Sequence, residues 1–191
     1  MKKHILLTIL TAATFLATPA ISAILSITPS TQTKFVGQSA SVDVELSGSL
    51  VGDFDLDVSW NSAIVSFSSI DFSSELGIFN VETLGDFTAL ANSINAYNVS
   101  LLSVAELGAL QGDPVLLFTL NFTALSVGIS PVNITLVNSL GDENGIQVDP
   151  LTIVNGEIKV INRDGGEIPE PATYLLFSGG LAILAVLRRR G

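Results

Sequence analysis

The chain has 191 residues, with 18 acidic and 8 basic side chains, a single His and no Cys. That length suits one domain with short appendages. Between Ile24 and Ile168 stand 17 acidic residues against Lys34, Lys159 and Arg163, a net charge of 3 − 17 = −14. Such a charge repels phosphate backbones, so nucleic acid is excluded as a partner. The lone His4 lies near the N-terminus, and without Cys the rest of the chain offers no thiol catalysis, His-based triad, zinc site or Fe–S cluster.

Residues 1–23 read as a secretory signal peptide. Lys2, Lys3 and His4 precede an apolar run from Ile5 to Ala17, Pro19 breaks it, and Ile21-Ser22-Ala23 puts a small residue at the expected cut, behind Ala23. A retained N-terminal anchor is the other reading, disfavoured by the shortness of the run against the ~20 residues of a membrane span.

From residue 24 to 161 the dominant signal is period-two alternation, the mark of strands with one buried face. Leu25–Thr28 opens the series. Val42, Val44 and Leu46 then alternate with Asp43 and Glu45, and Phe54, Leu56, Val58 and Trp60 alternate with Asp53, Asp55, Asp57 and Ser59. Ile64–Ile70 and Ala96–Leu102 are further strand candidates, with a short helix or turn expected around Val104–Leu110. Leu116, Phe118, Leu120, Phe122 and Ala124 form a long strand, followed by Val132–Val137 and by Val154, Ile158 and Val160. Turns at Val36-Gly37-Gln38, Ser47-Gly48-Ser49, Gln111-Gly112-Asp113-Pro114, Gly141–Gly145 and Asn155-Gly156 separate them. Many short strands without a long helical period predict an all-β fold, an antiparallel β-sandwich or jelly roll of about nine strands.

A charged linker, residues 162–168, precedes Pro169-Glu170-Pro171. An apolar stretch over residues 172–187 follows, closed by Arg188-Arg189-Arg190. As a helix its 16 residues would reach about 24 Å, slightly short of the ~30 Å hydrocarbon core, and the arginines would stay cytoplasmic. The prolines block helical continuation and hold an extended segment at the membrane surface.

Pro169-Glu170-Pro171, the hydrophobic stretch and the Arg cluster together resemble the PEP-CTERM sorting signal of Gram-negative bacteria. The resemblance implies exosortase as processing partner, a transient hold in the inner membrane, and delivery to the cell surface or outside, in a host that makes exopolysaccharide or biofilm. Pro169, Glu170, Pro171, Arg188, Arg189 and Arg190 are then features of a substrate.

The central segment resembles the cohesin domain, a jelly roll related to some carbohydrate-binding modules. The matching stretches are Leu25–Pro29, Val36–Val44, Phe54–Trp60 with Asn61-Ser62-Ala63-Ile64-Val65, Leu117–Ala124 and Gly156–Val160. Asn61-Ser62 stands where that family usually has Asp-Pro. The resemblance implies the fold and a general binding role.

Asp53, Asp55 and Asp57 would lie ~6.5–7 Å apart on one sheet face, too far for one cation without help from elsewhere. Gly141-Asp142-Glu143-Asn144-Gly145, with Asp149 following, is the better place for a structural Ca²⁺: Asp142, Glu143, Asn144 and Asp149 could supply oxygens from a flexible loop. An ordinary acidic turn is the alternative at both sites. Paired carboxylates could serve a glycosidase, yet Trp60 and Tyr97 are the only larger polar aromatics outside the tail, and the alternation buries Trp60. Phe67, Phe72, Phe79 and Phe87 read as core or loop packing, with exposed sugar-stacking platforms as the alternative. Asn98, Asn121 and Asn133 begin Asn-x-Ser/Thr triplets, read as accidents of polar strand surfaces.

No catalytic residues and no cofactor are assigned. The expectation is a non-enzymatic secreted surface or matrix protein whose sandwich binds an extracellular polysaccharide or a secreted or surface protein. A structural matrix component without a discrete ligand and a polysaccharide hydrolase are the alternatives.

Overall fold

The computed structural model describes residues 22–163. The leader up to Ile21, the last linker residues, the Pro-Glu-Pro segment and the apolar tail lie outside them. Eleven strands run in chain order: β1 (Ala23–Thr28), β2 (Thr31–Phe35), β3 (Ser39–Ser47), β4 (Asp53–Trp60), β5 (Val65–Phe72), β6 (Thr83–Ala89), β7 (Ser93–Ser100), β8 (Val115–Ala124), β9 (Gly128–Gly141), β10 (Leu151–Val154) and β11 (Gly156–Ile161). A 3₁₀ turn (Ser74–Leu76) precedes β6, and one helix, α1 (Val104–Leu110), joins β7 to β8.

The strands form two sheets, a five-stranded one in the order β10-β1-β3-β8-β5 and a six-stranded one in the order β2-β11-β9-β4-β7-β6. They pack as a sandwich, the expected fold. The alternation does what period-two chemistry demands: β4 buries Phe54, Leu56, Val58 and Trp60 and turns its aspartates outward, while β8 buries Phe118, Leu120, Phe122 and Ala124. Between the sheets, the rings of Phe54 and Phe118 meet at 5.5 Å and those of Trp60 and Phe122 at 5.2 Å. Aromatic pairs at these separations add to the free energy gained by removing apolar surface from water.

Most pairings are antiparallel, but β1 runs parallel to β10 and β2 parallel to β11. Both arise at two of the chain's crossings from the five-stranded to the six-stranded sheet, between β1 and β2 and between β10 and β11. These two crossings lie side by side: the Glu157 N–H donates to the Ser30 carbonyl at 2.9 Å. Gly156 sits at the crossing, where a Cβ would come 2.7 Å from Ile27 Cγ2. A side chain has no room there. The alternating run from Val154 to Val160 is broken at the expected Asn155-Gly156 turn, and the strands on its two sides, β10 and β11, lie in different sheets.

β2 and β6 are additional strands outside the alternation pattern, both at sheet edges. β2, Thr-Gln-Thr-Lys-Phe, buries no residue fully. On β6 the fully buried residue is polar (Thr83), and the apolar Leu84 faces solvent. Phe67, Phe72, Phe79 and Phe87 gather on the flank between β5 and β6, with Phe72 stacked on Phe79 at 4.2 Å and Phe87 edge-on to Phe67 at 6.5 Å. They pack on one another rather than forming an exposed row.

α1 begins with a capping box. The Glu106 carboxylate accepts from the Ser103 N–H (2.8 Å) and hydroxyl (2.7 Å), and these bonds, the hydroxyl's first, hold its carboxyl below the ordinary value of 4.5. A depressed folded value means that the cap stabilises the helix above pH ~4.5 and is lost as pH falls below it.

Three outcomes test this account. Gly156→Ala should lower unfolding stability by about 1–3 kcal/mol in denaturant titrations, as overpacking does. Gly112→Ala, whose Cβ would meet nothing nearer than the Pro114 carbonyl oxygen at 3.6 Å, should stay within about 0.5 kcal/mol of the parent. Glu106→Gln should remove the capping contribution to the acid dependence of unfolding, seen as a flatter stability curve below pH ~4.5.

Candidate functional site

The outer face of the six-stranded sheet is the most distinctive surface. β4 lies inside that sheet, between β9 and β7, so Asp53, Asp55 and Asp57 project from the middle of a broad face. Their charges do not stand alone. Asn95 on β7 donates from one amide nitrogen to both Asp55 (2.6 Å) and Asp57 (2.7 Å), Asn138 on β9 donates to Asp55 (3.1 Å), and the Ser139 hydroxyl donates to Asp53. Neutral donors from the flanking strands thus spread the negative charge of β4 without cancelling it.

Beside this ladder the same face exposes apolar side chains. Leu84 on β6 is directly opposite Val99 on β7, and they are 61% and 42% exposed. Tyr97, 41% exposed, stands opposite Asp55 on one side and Asp86 on the other. Leu136, half exposed, lies opposite Asp57 on β9. An apolar patch ringed by carboxylates suits a partner that brings its own apolar groups and positive charge.

The outer face of the five-stranded sheet is different. Thr119 donates to Asp43 (2.5 Å), Asn121 donates to Asp71 (2.7 Å), and the hydroxyls of Ser68 and Thr123 are paired at 3.1 Å. That polar surface is largely hydrogen-bonded to itself.

The expected calcium residues lie in the turn after β9. Asp142 accepts through one carboxylate oxygen from the N–H groups of Asn144 (2.8 Å) and Ile146 (2.9 Å), Gly145 takes a left-handed conformation (φ 73°), and the Asn144 amide donates to Glu143 (3.1 Å). Asp149 is exposed and stands beyond buried Val148. The turn spends a carboxylate oxygen of Asp142 on its own backbone, and among the described residues no group of three or more His, Cys, Asp or Glu is arranged to hold a metal ion.

Ala23, the expected cleavage residue, opens β1. It is 3% exposed, and its N–H donates to the Pro150 carbonyl at 3.0 Å, while the β1–β3 ladder begins one residue later, at Ile24. Of the Asn-x-Ser/Thr triplets, Asn98 is fully buried with neither amide atom hydrogen-bonded within the protein, and Asn121 and Asn133 are half-buried. Pro169, Glu170, Pro171 and Arg188–Arg190 lie outside the described residues, as does the apolar stretch over residues 172–187. No helix among the described residues is long and apolar enough to cross a membrane.

The sandwich has a cohesin-like fold. Its described part is similar to a type I cohesin from Clostridium thermocellum solved in a cohesin–dockerin complex (14% identity, TM-score 0.61, covering 74% of this chain and 100% of that one). It is also similar to a non-cellulosomal cohesin from the hyperthermophilic archaeon Archaeoglobus fulgidus (14% identity, TM-score 0.57, 75% and 94%) and to the cohesin CaCohA2 from Clostridium acetobutylicum (19% identity, TM-score 0.55, 73% and 90%). At these identities the likeness is one of fold. The particular chain is marked by its tail: residues 167–190 match the PEP-CTERM protein-sorting motif. No curated protein sequence matches the chain.

Asn95→Ala should cost about 1.5–3 kcal/mol, the range for hydrogen bonds to charged groups, because it removes the donor shared by Asp55 and Asp57. Part of that loss should return in high salt, which screens the exposed carboxylates from one another. Unfolding titrations at low and high ionic strength test both statements.

Proposed function

We propose that this chain is a non-enzymatic surface module, secreted by a signal peptide, processed by an exosortase at the PEP-CTERM tail, and used outside the cell to hold a protein partner. The patch of Leu84, Tyr97 and Val99 within an acidic surround carries the binding part of this reading. Partner recognition is supported by the relatives: the Clostridium thermocellum cohesin was solved with a dockerin bound. The occupant that fits the patch here is a protein surface with exposed apolar groups next to Lys or Arg, since the described domain has 3 basic and 15 acidic residues, a net charge of 3 − 15 = −12.

The motif at residues 167–190 supports the sorting part. A leader cut behind Ala23 is compatible with the fold: it removes the first β1–β10 rung and leaves the β1–β3 ladder from Ile24 onward intact.

Two experiments test the reading. In the native host, intact-mass measurement of the released protein should show loss of both the leader and the apolar tail. Replacing Pro169, Glu170 and Pro171 together by Ala should leave the tail attached and the protein in the membrane fraction. Release of that variant with normal trimming would refute exosortase sorting. For binding, the immobilised protein should capture a secreted or surface protein from the host, with capture weakened by salt and reduced tenfold or more in Leu84→Lys and Tyr97→Ser. Capture indifferent to both substitutions would remove the outer face as the site, and turnover of a host polysaccharide would overturn the non-enzymatic assignment.

A further inference from the structure

At one end of the same sheet face, where β4 leaves the sheet, lies an open depression of about 380 Å³, here called the cavity, lined by Ser59, Trp60, Asn61, Ser62, Asn92, Pro131 and Asn133, of which Asn61, Ser62, Asn92 and Pro131 are exposed. Its volume falls in the ~300–1,000 Å³ range of small-molecule sites. The lining comes from β4 and the turn after it, the turn between β6 and β7, and β9. Two hydrogen bonds from backbone N–H groups brace it: the Trp60 N–H donates to the Asn92 carbonyl (3.0 Å), and the Asn61 N–H donates to the Ser130 side-chain hydroxyl (2.9 Å).

What distinguishes the cavity is the state of its polar side chains. On the outer face of this sheet Asn95 and Asn138 spend their amide nitrogens on the Asp55 and Asp57 carboxylates, while Asn98, on the inner side of β7, is buried with its amide unpaired. Among the described residues, the side chains of Ser59, Ser62, Asn92 and Asn133 make no hydrogen bond within the protein, and Asn61 uses only its amide oxygen, on the Ala63 N–H. Idle amides and hydroxyls, each offering donor and acceptor capacity, therefore converge on one concave surface.

The lining holds no charged residue, and the domain around it is strongly acidic. An anionic ligand is repelled, a cation finds no carboxylate, and an apolar ligand would strip water from amides it cannot pair with. Ser59–Asn133 and Trp60–Val132 are rungs of an interior ladder, so no free strand edge is offered to a peptide backbone. We infer that the cavity is a binding site for a neutral saccharide, whose neighbouring hydroxyls match side-chain amides and hydroxyls in both donor and acceptor sense. Pro131 provides a rigid apolar wall for the carbon face of the ring. With no Asp or Glu in the lining, the sugar is held without hydrolysis.

Trp60 is the only tryptophan of the chain, so its emission reports on the cavity in the full-length protein. The probes are methyl glycosides of glucose, galactose, mannose and N-acetylglucosamine, with the corresponding linear tetrasaccharides, each followed by Trp emission and by calorimetry. At least one should give a saturable emission change or heat, and Asn92→Ala and Asn133→Ala should each weaken it about tenfold, with unchanged far-UV circular dichroism. Leu84→Lys should leave it intact, which separates this site from the protein-binding patch. Absence of both heat and emission change across the panel, or saturable binding indifferent to both Asn substitutions, would overturn the assignment.

Discussion

The structure rests on the apolar seam between its two sheets. With no cysteine, no cross-link can hold the layers together, so the sandwich depends on alternate residues of nearly every long strand reaching the same seam. β4 and β8 contribute most of the aromatic part, and Phe54 touches both Phe72 and Phe118. That commitment fixes the position of everything else. Once Phe54, Leu56, Val58 and Trp60 are inside, Asp53, Asp55, Asp57 and Ser59 must be outside, and the outer face of the six-stranded sheet acquires its acidic ladder as a geometric consequence. Such a row is tolerable because its neighbours are not acidic: Asn95, Asn138 and Ser139 stand where they can donate to it.

The strands that are legible in the sequence are those with one face in the seam and one in water. β3 and β4 can be read residue by residue from Val42–Leu46 and Phe54–Trp60, β8 from Phe118 to Ala124, and α1 from the gap that lacks alternation; at Leu116 the alternation fails, because a register shift against β3 at Val44/Glu45 buries Leu117 instead. β2 and β6 escape for a shared reason: as edge strands they are half-exposed on both faces, so hydrophobicity does not alternate along them. Leu84 even reverses the rule, turned outward opposite Val99. The crossings from β1 to β2 and from β10 to β11 are invisible for another reason. Asn155-Gly156 reads as a turn, and nothing local says that the chain crosses to the other layer there; Ile27, 129 positions away, is what requires a glycine.

Candidate site residues were legible in proportion to how much their chemistry is local. The Asp53–Asp55–Asp57 row is local, and its outward position follows from spacing alone. The acidic turn around Asp142 reads as a cation loop from composition, which cannot show where a carboxylate's lone pairs point; here one oxygen of Asp142 accepts from the N–H groups of Asn144 and Ile146. The apolar patch and the cavity had no signal at all. Leu84, Tyr97 and Val99 come together through cross-strand register, and Asn61, Asn92 and Asn133 are drawn from three separate parts of the chain.

The two faces of the sandwich differ in a way that bears on how the tail and the sites can work together. The five-stranded sheet ties Asp43 to Thr119 and Asp71 to Asn121 on its outer surface and exposes Ile24, Ile153 and Val154 on β1 and β10, whereas the six-stranded sheet carries the Leu84–Tyr97–Val99 patch and the idle amides. The chain also leaves the described domain from that second sheet, through β11 and Arg163, whose guanidinium sits 5.6 Å above the Phe35 ring. Along β9, the last rung with β11 is at Gly128, the cavity lies at Pro131–Asn133, and the partners of Asp55 and Asp53 follow at Ser139 and Gly141. At ~3.3 Å per residue the acidic and apolar part of the face is roughly 35 Å from the exit, with the cavity much nearer to it. On the proposed reading, a chain still held by its tail would carry the Leu84–Tyr97–Val99 patch at the end far from the exit and the cavity at the end near it.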